Sequence, residues 1–159
     1  MNAEPRTAMS FTLTSDAFQD GDWIPRRFTC DGENLSPPLA WSAVPEGTGS
    51  FVLLVDDPDA PRGTFTHWIV FDIPGDARRL DEGVTTGVTG RMLRNDFGHP
   101  RYGGPCPPRG HGPHRYRFAL YAVELPVLRL HSDRRADIDQ ALASHTLGSA
   151  VLTGKYERT

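Results

Sequence analysis

Between Gly103 and Tyr116 the chain reads Gly-Gly-Pro-Cys-Pro-Pro-Arg-Gly-His-Gly-Pro-His-Arg-Tyr, with four glycines, four prolines and two histidines. Proline lacks an N–H donor and fixes φ, and glycine adds backbone freedom, so neither a helix nor a central strand can run through this stretch. It reads as a stiff loop. The residues that follow, Tyr116–Val123, form the strongest strand pattern in the second half of the chain. A loop held on a firm strand is a common support for ligand groups. The plainer reading is a structural loop that carries surface histidines.

The chain has 159 residues, which sets a prior of one domain able to bury a core without help from metals. With 16 Gly and 14 Pro and only 38% hydrophobic residues, short elements joined by turns are expected in place of long helices. The net charge is -3, and Lys155 is the one lysine, so no basic arm for nucleic acid is present. Met1–Thr7 has no apolar leader core and no window approaches a membrane span, so the expected location is the cytoplasm. In a reducing compartment Cys30 and Cys106 are expected to be free thiols, with a bridge between them open if the fold joins them.

Residues 1–9 read as a loose tail ahead of a single domain over 10–159. Phe11–Thr14 alternates like a strand, and Ile24–Thr29 like a short edge strand interrupted by Pro25. Ser36–Trp41 is extended, because residues before proline avoid the helical region. Ser50–Asp57 and Thr64–Ile73 are near-continuous apolar runs that read as buried strands. Residues 79–90 are expected to hold short strands, and Arg91–Tyr102 an irregular loop. Ser132 and Asp133 offer an N-cap to a helix over Ala136–His145, with Gly148 ending it, and Ala150–Tyr156 closes the chain as a strand. Many short strands with late helical content predict an all-β sandwich.

Three groups of residues can carry chemistry. Asp57-Pro58-Asp59-Ala60-Pro61 ends a buried strand with two carboxylates, although Asp before Pro is also a routine strand terminator. His67 begins an apolar strand, where burial is costly unless the ring is paired. His111 and His114 sit in the opening loop, but Gly112 and Pro113 between them forbid the helical geometry of a zinc-protease motif. No metal set, cofactor motif or phosphate-binding glycine loop is present. No nucleophile elbow is present either, and Cys106 beside histidines has no evident orienting partner.

Taken in order, these groups resemble the phosphatidylethanolamine-binding protein family, and in particular its bacterial Raf-kinase-inhibitor-like branch. The resemblance rests on Asp57–Pro61, His67-Trp68, Gly103–Pro108 and His114-Arg115-Tyr116. Asn34–Trp41, Arg94–Gly98 and Leu152–Tyr156 extend it over nearly the whole chain. It implies a Greek-key β-sandwich of two antiparallel sheets with one or two short helices near the C-terminus. It also implies a small pocket at one end for an anionic group, such as phosphate or a phospholipid headgroup. Carried over by motif, the ligand-binding residues are Asp57, Asp59, His67, Gly103, Gly104, Pro107, Pro108, His114 and Tyr116. The two glycines would offer backbone N–H donors, and the histidines would donate to the anion. Arg115 is expected to face away from His114 and Tyr116 in an ion pair, and His111 falls outside the set.

The function expected is non-enzymatic binding of a small anionic ligand, with no metal and no cofactor. A protein kinase or protease partner and a homodimer are implied by the family alone. The alternative is a hydrolase or lyase that uses His67 or His114 as base with an aspartate orienter. A third reading is an interaction module that works through its surface.

Overall fold

The computed structural model describes residues 10–84 and 90–159. The strands are β1 (Thr12–Thr14), β2 (Leu39–Ser42), β3 (Ser50–Asp57), β4 (Phe65–Pro74), β5 (Arg79–Leu80), β6 (Arg91–Leu93), β7 (His114–Val123) and β8 (Thr146–Tyr156). One helix, α1 (Arg135–His145), lies between the last two. The strands form two antiparallel sheets, ordered β1-β2-β5 and β6-β4-β3-β7-β8. Within the larger sheet, β7 returns to lie beside β3, so β7-β3-β4-β6 has the Greek-key order of fourth strand next to first.

The continuous apolar runs of β3 and β4 follow from cover on both faces. Phe51, Leu53 and Val55 point into the core shared with the small sheet, against Leu13, Leu39, Trp41 and Leu80. Val52 and Leu54 point the other way, toward Ile138 and Leu142 of α1. The molecule is thus small sheet, large sheet and helix in three layers. In β4 the alternation slips at Asp72, whose φ of 56° takes the chain out of strand geometry. Phe71 faces the helix layer, yet Ile73 returns to the inner core two residues later. The slip coincides with a register shift against β3 between Phe51 and Leu53.

Several expectations change. Pro25 opens a single 3-10 turn at Arg26–Phe28 in place of an edge strand, closed by the bond from Thr29 N–H to the Arg26 carbonyl. Arg91–Leu93, expected as loop, pairs with Phe71, Val70 and Ile69 as an edge strand. The helix stops at His145 and the chain passes directly into β8, so Gly148 lies within a strand opposite Ala122. The loop of the opening stretch ends sooner than expected, because His114 already belongs to β7. Among residues 79–90, Arg79–Leu80 is a strand; residues 85–89 and the tail at 1–9 lie outside the described residues.

Two details of this architecture hold the site in place. Alternation along β7 points Tyr116, Phe118 and Leu120 into the inner core and leaves Arg115 and Arg117 outside. At the end of β3, Asp56 faces the helix layer, where both its oxygens accept from Arg135 at 2.7 and 2.9 Å. Arg135 also donates to Asp139 and to the Thr66 hydroxyl, so the first turn of α1 is pinned to the strand end beside the site.

Candidate functional site

Asp57 is the last residue of β3 and is 3% exposed. One carboxylate oxygen accepts the Asp59 N–H at 2.8 Å, which closes the turn that Pro58 begins. The other accepts from His114 Nδ1 at 2.6 Å. Because an ionised carboxylate only accepts, His114 Nδ1 carries a proton. The turn sends Asp59 outward, and its oxygens accept from the Arg115 backbone N–H, Nε and Nη2 at 2.8–2.9 Å. The hydrogen bonds from Arg115 lower the Asp59 carboxyl to about 2. The two carboxylates therefore diverge, and Arg115 holds the outer one, in the ion pair that strand alternation predicts.

His67, near the start of β4, is 4% exposed. Its Nδ1 donates to the Gly103 carbonyl at 2.6 Å, and the Gly103 N–H donates back to the His67 carbonyl. A carbonyl cannot donate, so this bond fixes the proton on Nδ1. Burial pulls the ring's pKa down, against the upward pull of the Gly103 carbonyl and of Asp57, Asp56 and Asp96. The ring is packed edge-on by Phe65, Phe97 and Tyr116, with centroids 5.0–5.3 Å away. The Gly104 N–H donates to Asn34 Oδ1. Both glycine N–H groups are thus engaged in holding the loop, which differs from their expected role as ligand donors. The need for glycine is steric: a Cβ on Gly104 would lie 2.3 Å from the Phe28 carbonyl oxygen.

Asp57, His67, Pro107, Pro108, His114 and Tyr116 come together around a cavity of about 200 Å³ at the end of the sandwich. Phe65, Phe97, Ala60, Pro61 and Cys106 complete its mostly apolar wall. Of the residues expected from sequence, Asp59, Gly103 and Gly104 stand behind this wall. Tyr116 is 1% exposed, and its hydroxyl makes no well-formed hydrogen bond among the described residues. Burial, the nearby charge of Asp57 and the hydroxyl's interaction with that carboxylate raise its pKa, so it stays a neutral donor. A larger hollow of about 380 Å³ lies between α1 and the segment at 125–131, but no comparable buried orphan group lines it.

His111 is the residue that sequence reasoning left aside. Its Nδ1 lies 2.6 Å from His114 Nε2, which completes a chain Asp57–His114–His111. With one proton already on His114 Nδ1, a neutral His114 accepts from His111 at Nε2. His111 is exposed and sits between Gly110 and Gly112, whose φ values of 74° and 86° favour glycine. The signal available in the sequence was the Gly-His-Gly context, which permits the loop to turn back on His114.

Cys30 and Cys106 form a disulfide, which corrects the expectation of free thiols. The Cys30 N–H also donates to the Pro105 carbonyl, so the loop that carries Pro107 and Pro108 is tied twice to the segment after the 3-10 turn. Among the described residues no group of three His, Cys, Asp or Glu is arranged to hold a metal ion. Among them, too, no helix is long and apolar enough to cross a membrane.

The family model for phosphatidylethanolamine-binding protein matches residues 14–157. This chain belongs to the phosphatidylethanolamine-binding protein family. An Aquifex aeolicus relative, named only as a UPF0098 protein, is 46% identical over 91% of this chain and 86% of its own length. The crystal structure of E. coli YbcL, described as a new member of the mammalian family, superposes with a TM-score of 0.87. It is 34% identical and covers 95% of this chain and 100% of its own. A Mycobacterium tuberculosis relative, 40% identical over 94% of this chain and 74% of its own length, is named a candidate lipoprotein. Family membership makes this chain a binding protein in its coarse function, and the two-sheet fold with one helix agrees with that of its structural neighbours.

Proposed function

We propose that the cavity at the end of the sandwich binds a small anionic group: phosphate, a phospholipid headgroup or a phosphorylated side chain. The observation that carries this reading is the Tyr116 hydroxyl, a buried donor that lines the cavity beside Asp57 and makes no well-formed hydrogen bond among the described residues. Leaving a buried polar group unmade costs about 1–3 kcal/mol, and an acceptor atom of a ligand recovers that cost. The apolar collar of Phe65, Phe97, Pro107 and Pro108 would exclude water and strengthen such a bond. The test is a titration with inorganic phosphate followed by NMR. Resonances of residues 57–67 and 103–116 should shift in the parent protein, and Tyr116→Phe should weaken the effect at least about fivefold. Unmoved resonances in the parent would sink the reading.

Asp57 bound to His114 favours a second reading, a hydrolase or lyase with a base and its orienter. Against it, His114 Nε2 is already engaged by His111. Turnover of phosphoesters or esters that disappears in both His67→Ala and His114→Ala would establish it. A kinase or protease partner and a homodimer extend the binding reading. A cytoplasmic location belongs to the same set of proposals, and the disulfide argues for an oxidising compartment instead. Cell fractionation with a thiol-trapping reagent decides between them.

A further inference from the structure

The Cys30–Cys106 bridge lies at the surface, and its two sulfurs have unlike surroundings. Both half-cystines are exposed, so a small thiol reaches the bridge while the chain stays folded. Arg158 Nη1 donates to Cys106 Sγ at 3.5 Å. The same guanidinium is steadied from its other side. Its Nε pairs with Asp31 Oδ1 at 3.2 Å, and the second oxygen of Asp31 accepts from the Tyr156 hydroxyl. Among the described residues no donor reaches Cys30 Sγ, and the residue that follows Cys30 carries the Asp31 carboxylate. A sulfur leaves a disulfide as thiolate. A cation held beside it favours that form, and a neighbouring carboxylate opposes it.

The bridge also stands between two hollows. Cys106 and Phe97 line both the cavity of about 200 Å³ and a second hollow of about 270 Å³ that Cys30, Asn34 and Tyr102 help to enclose. Upstream of Cys106 the segment keeps three other ties. The Gly103 N–H donates to the His67 carbonyl, the Gly104 N–H to Asn34 Oδ1, and the Pro105 carbonyl accepts the Cys30 N–H. Downstream, Pro107 and Pro108 bring no N–H of their own, and the next backbone donor to a distant residue is Gly110, bonded to the Arg158 carbonyl. The bridge is thus the nearest tie on the part of the cavity wall that the two prolines form.

We infer that Cys30 is a thiol-exchange site: the thiolate of a low-molecular-weight thiol attacks Cys30 Sγ, and Cys106 departs toward Arg158. A new S–S bond forms between the thiol and Cys30 as the Cys30–Cys106 bond breaks. The electron pair of the broken bond leaves on Cys106 Sγ, to which Arg158 Nη1 donates. One disulfide is consumed and one is made, so no further oxidant or reductant enters. Attack on Cys106 would place the leaving charge on Cys30 instead, beside Asp31 and without a donor. Departure of Cys106 unties Pro107 and Pro108 and loosens that wall, whatever the cavity binds.

The experiment mixes the oxidised full chain with reduced glutathione, quenches in acid, alkylates with N-ethylmaleimide and maps the peptides by mass. Glutathione should sit on Cys30 and maleimide on Cys106, in at least about tenfold excess over the reverse. Arg158→Gln should slow adduct formation roughly tenfold, from a leaving thiol about two pH units less acidic and a sensitivity near ~0.5, and Arg158→Lys should restore part of the rate. Should Arg158→Gln fail to fold, single-cysteine variants decide. By ultraviolet thiolate absorbance, Cys106 in Cys30→Ala should ionise at least about one pH unit below the ordinary value near ~8.5, and Cys30 in Cys106→Ala at or above it. In the adduct, resonances of Phe97, His114 and Tyr116 should shift while those of Ile138 and Leu142 hold. The inference is overturned by adducts divided equally or lying chiefly on Cys106, by an Arg158→Gln rate equal to the parent's, or by the reverse order of the two thiol ionisations. It is overturned equally if no adduct forms in the time that opens the bridge of the urea-unfolded chain. Cavity resonances that stay unmoved in the adduct overturn the loosening of the wall.

Discussion

The Cys30–Cys106 bridge closes a loop with a sequence separation of 76, and a loop of that length makes its removal a demanding test. In the chain-entropy account, cross-linking such a loop removes about 15 cal/mol/K from the unfolded chain, or about 4.5 kcal/mol at 25 °C. Measured bridges more often contribute 2–4 kcal/mol, because unfolded chains keep some structure. For a domain of this size one kcal/mol moves the Tm by about 2–4 °C. The double variant Cys30→Ala with Cys106→Ala should therefore melt roughly 5–15 °C below the parent, by calorimetry at pH 7. The parent in excess reductant should approach the same Tm, and the variant should not respond to reductant. The chain-entropy reasoning is refuted if the variant melts within about 2 °C of the parent while the parent is shown by mass to be oxidised. Because the backbone bond from the Cys30 N–H to the Pro105 carbonyl survives the substitution, the fold itself should persist.

Four further outcomes are expected. Asp57→Asn faces an amide N–H toward either the Asp59 N–H or His114 Nδ1, so one buried donor is left opposed; calorimetry should show a loss of about 1–3 kcal/mol. Gly104→Ala drives a Cβ into the Phe28 carbonyl and Thr29 Cα, both backbone atoms, and against Asn34 Oδ1, and should cost at least about 1–3 kcal/mol in a denaturant titration. Tyr116→Phe deletes a buried group with no well-formed hydrogen bond among the described residues, so the free protein should be as stable as the parent or more so, while anion binding weakens; a clear drop in Tm would mean the hydroxyl has a partner after all. His67 has a folded pKa below its ordinary value near ~6.5, so the unfolded chain takes up its proton first. Its contribution to stability is present above pH ~6.5 and declines as pH falls below it, and a pH series of Tm values should lose this acid-side slope in His67→Gln.

The runs Ser50–Asp57 and Thr64–Ile73 were legible because both faces of those strands are covered, which leaves an unbroken apolar pattern. The alternation that puts His114 and Tyr116 inside and Arg115 outside was legible for the same local reason. Arg91–Leu93 was not, since a three-residue edge strand is set by its partner Ile69–Phe71 and not by its own pattern. The direction of Asp59 depends on a turn whose closing bond comes from the Asp57 side chain, so two carboxylates that looked like a pair part company. The cysteine pairing and the two engaged glycine N–H groups are products of tertiary contact with residues 28–34, far away along the chain. His111 was hidden because its role lies in a contact that the two glycines beside it allow but do not announce.

That contact has a consequence for how the site selects. His114 Nε2 is occupied by a side chain on a swivel of two glycines, with open space where a Cβ on either would stand. An oxygen that approaches His114 therefore enters by exchange: it must replace what His111 supplies, and its net affinity is the difference between the two contacts. Tyr116 and His67 face no such incumbent. One cavity thus holds two positions open to addition and one open only to substitution. Ligands that reach the third must be good enough to evict a residue of the protein itself.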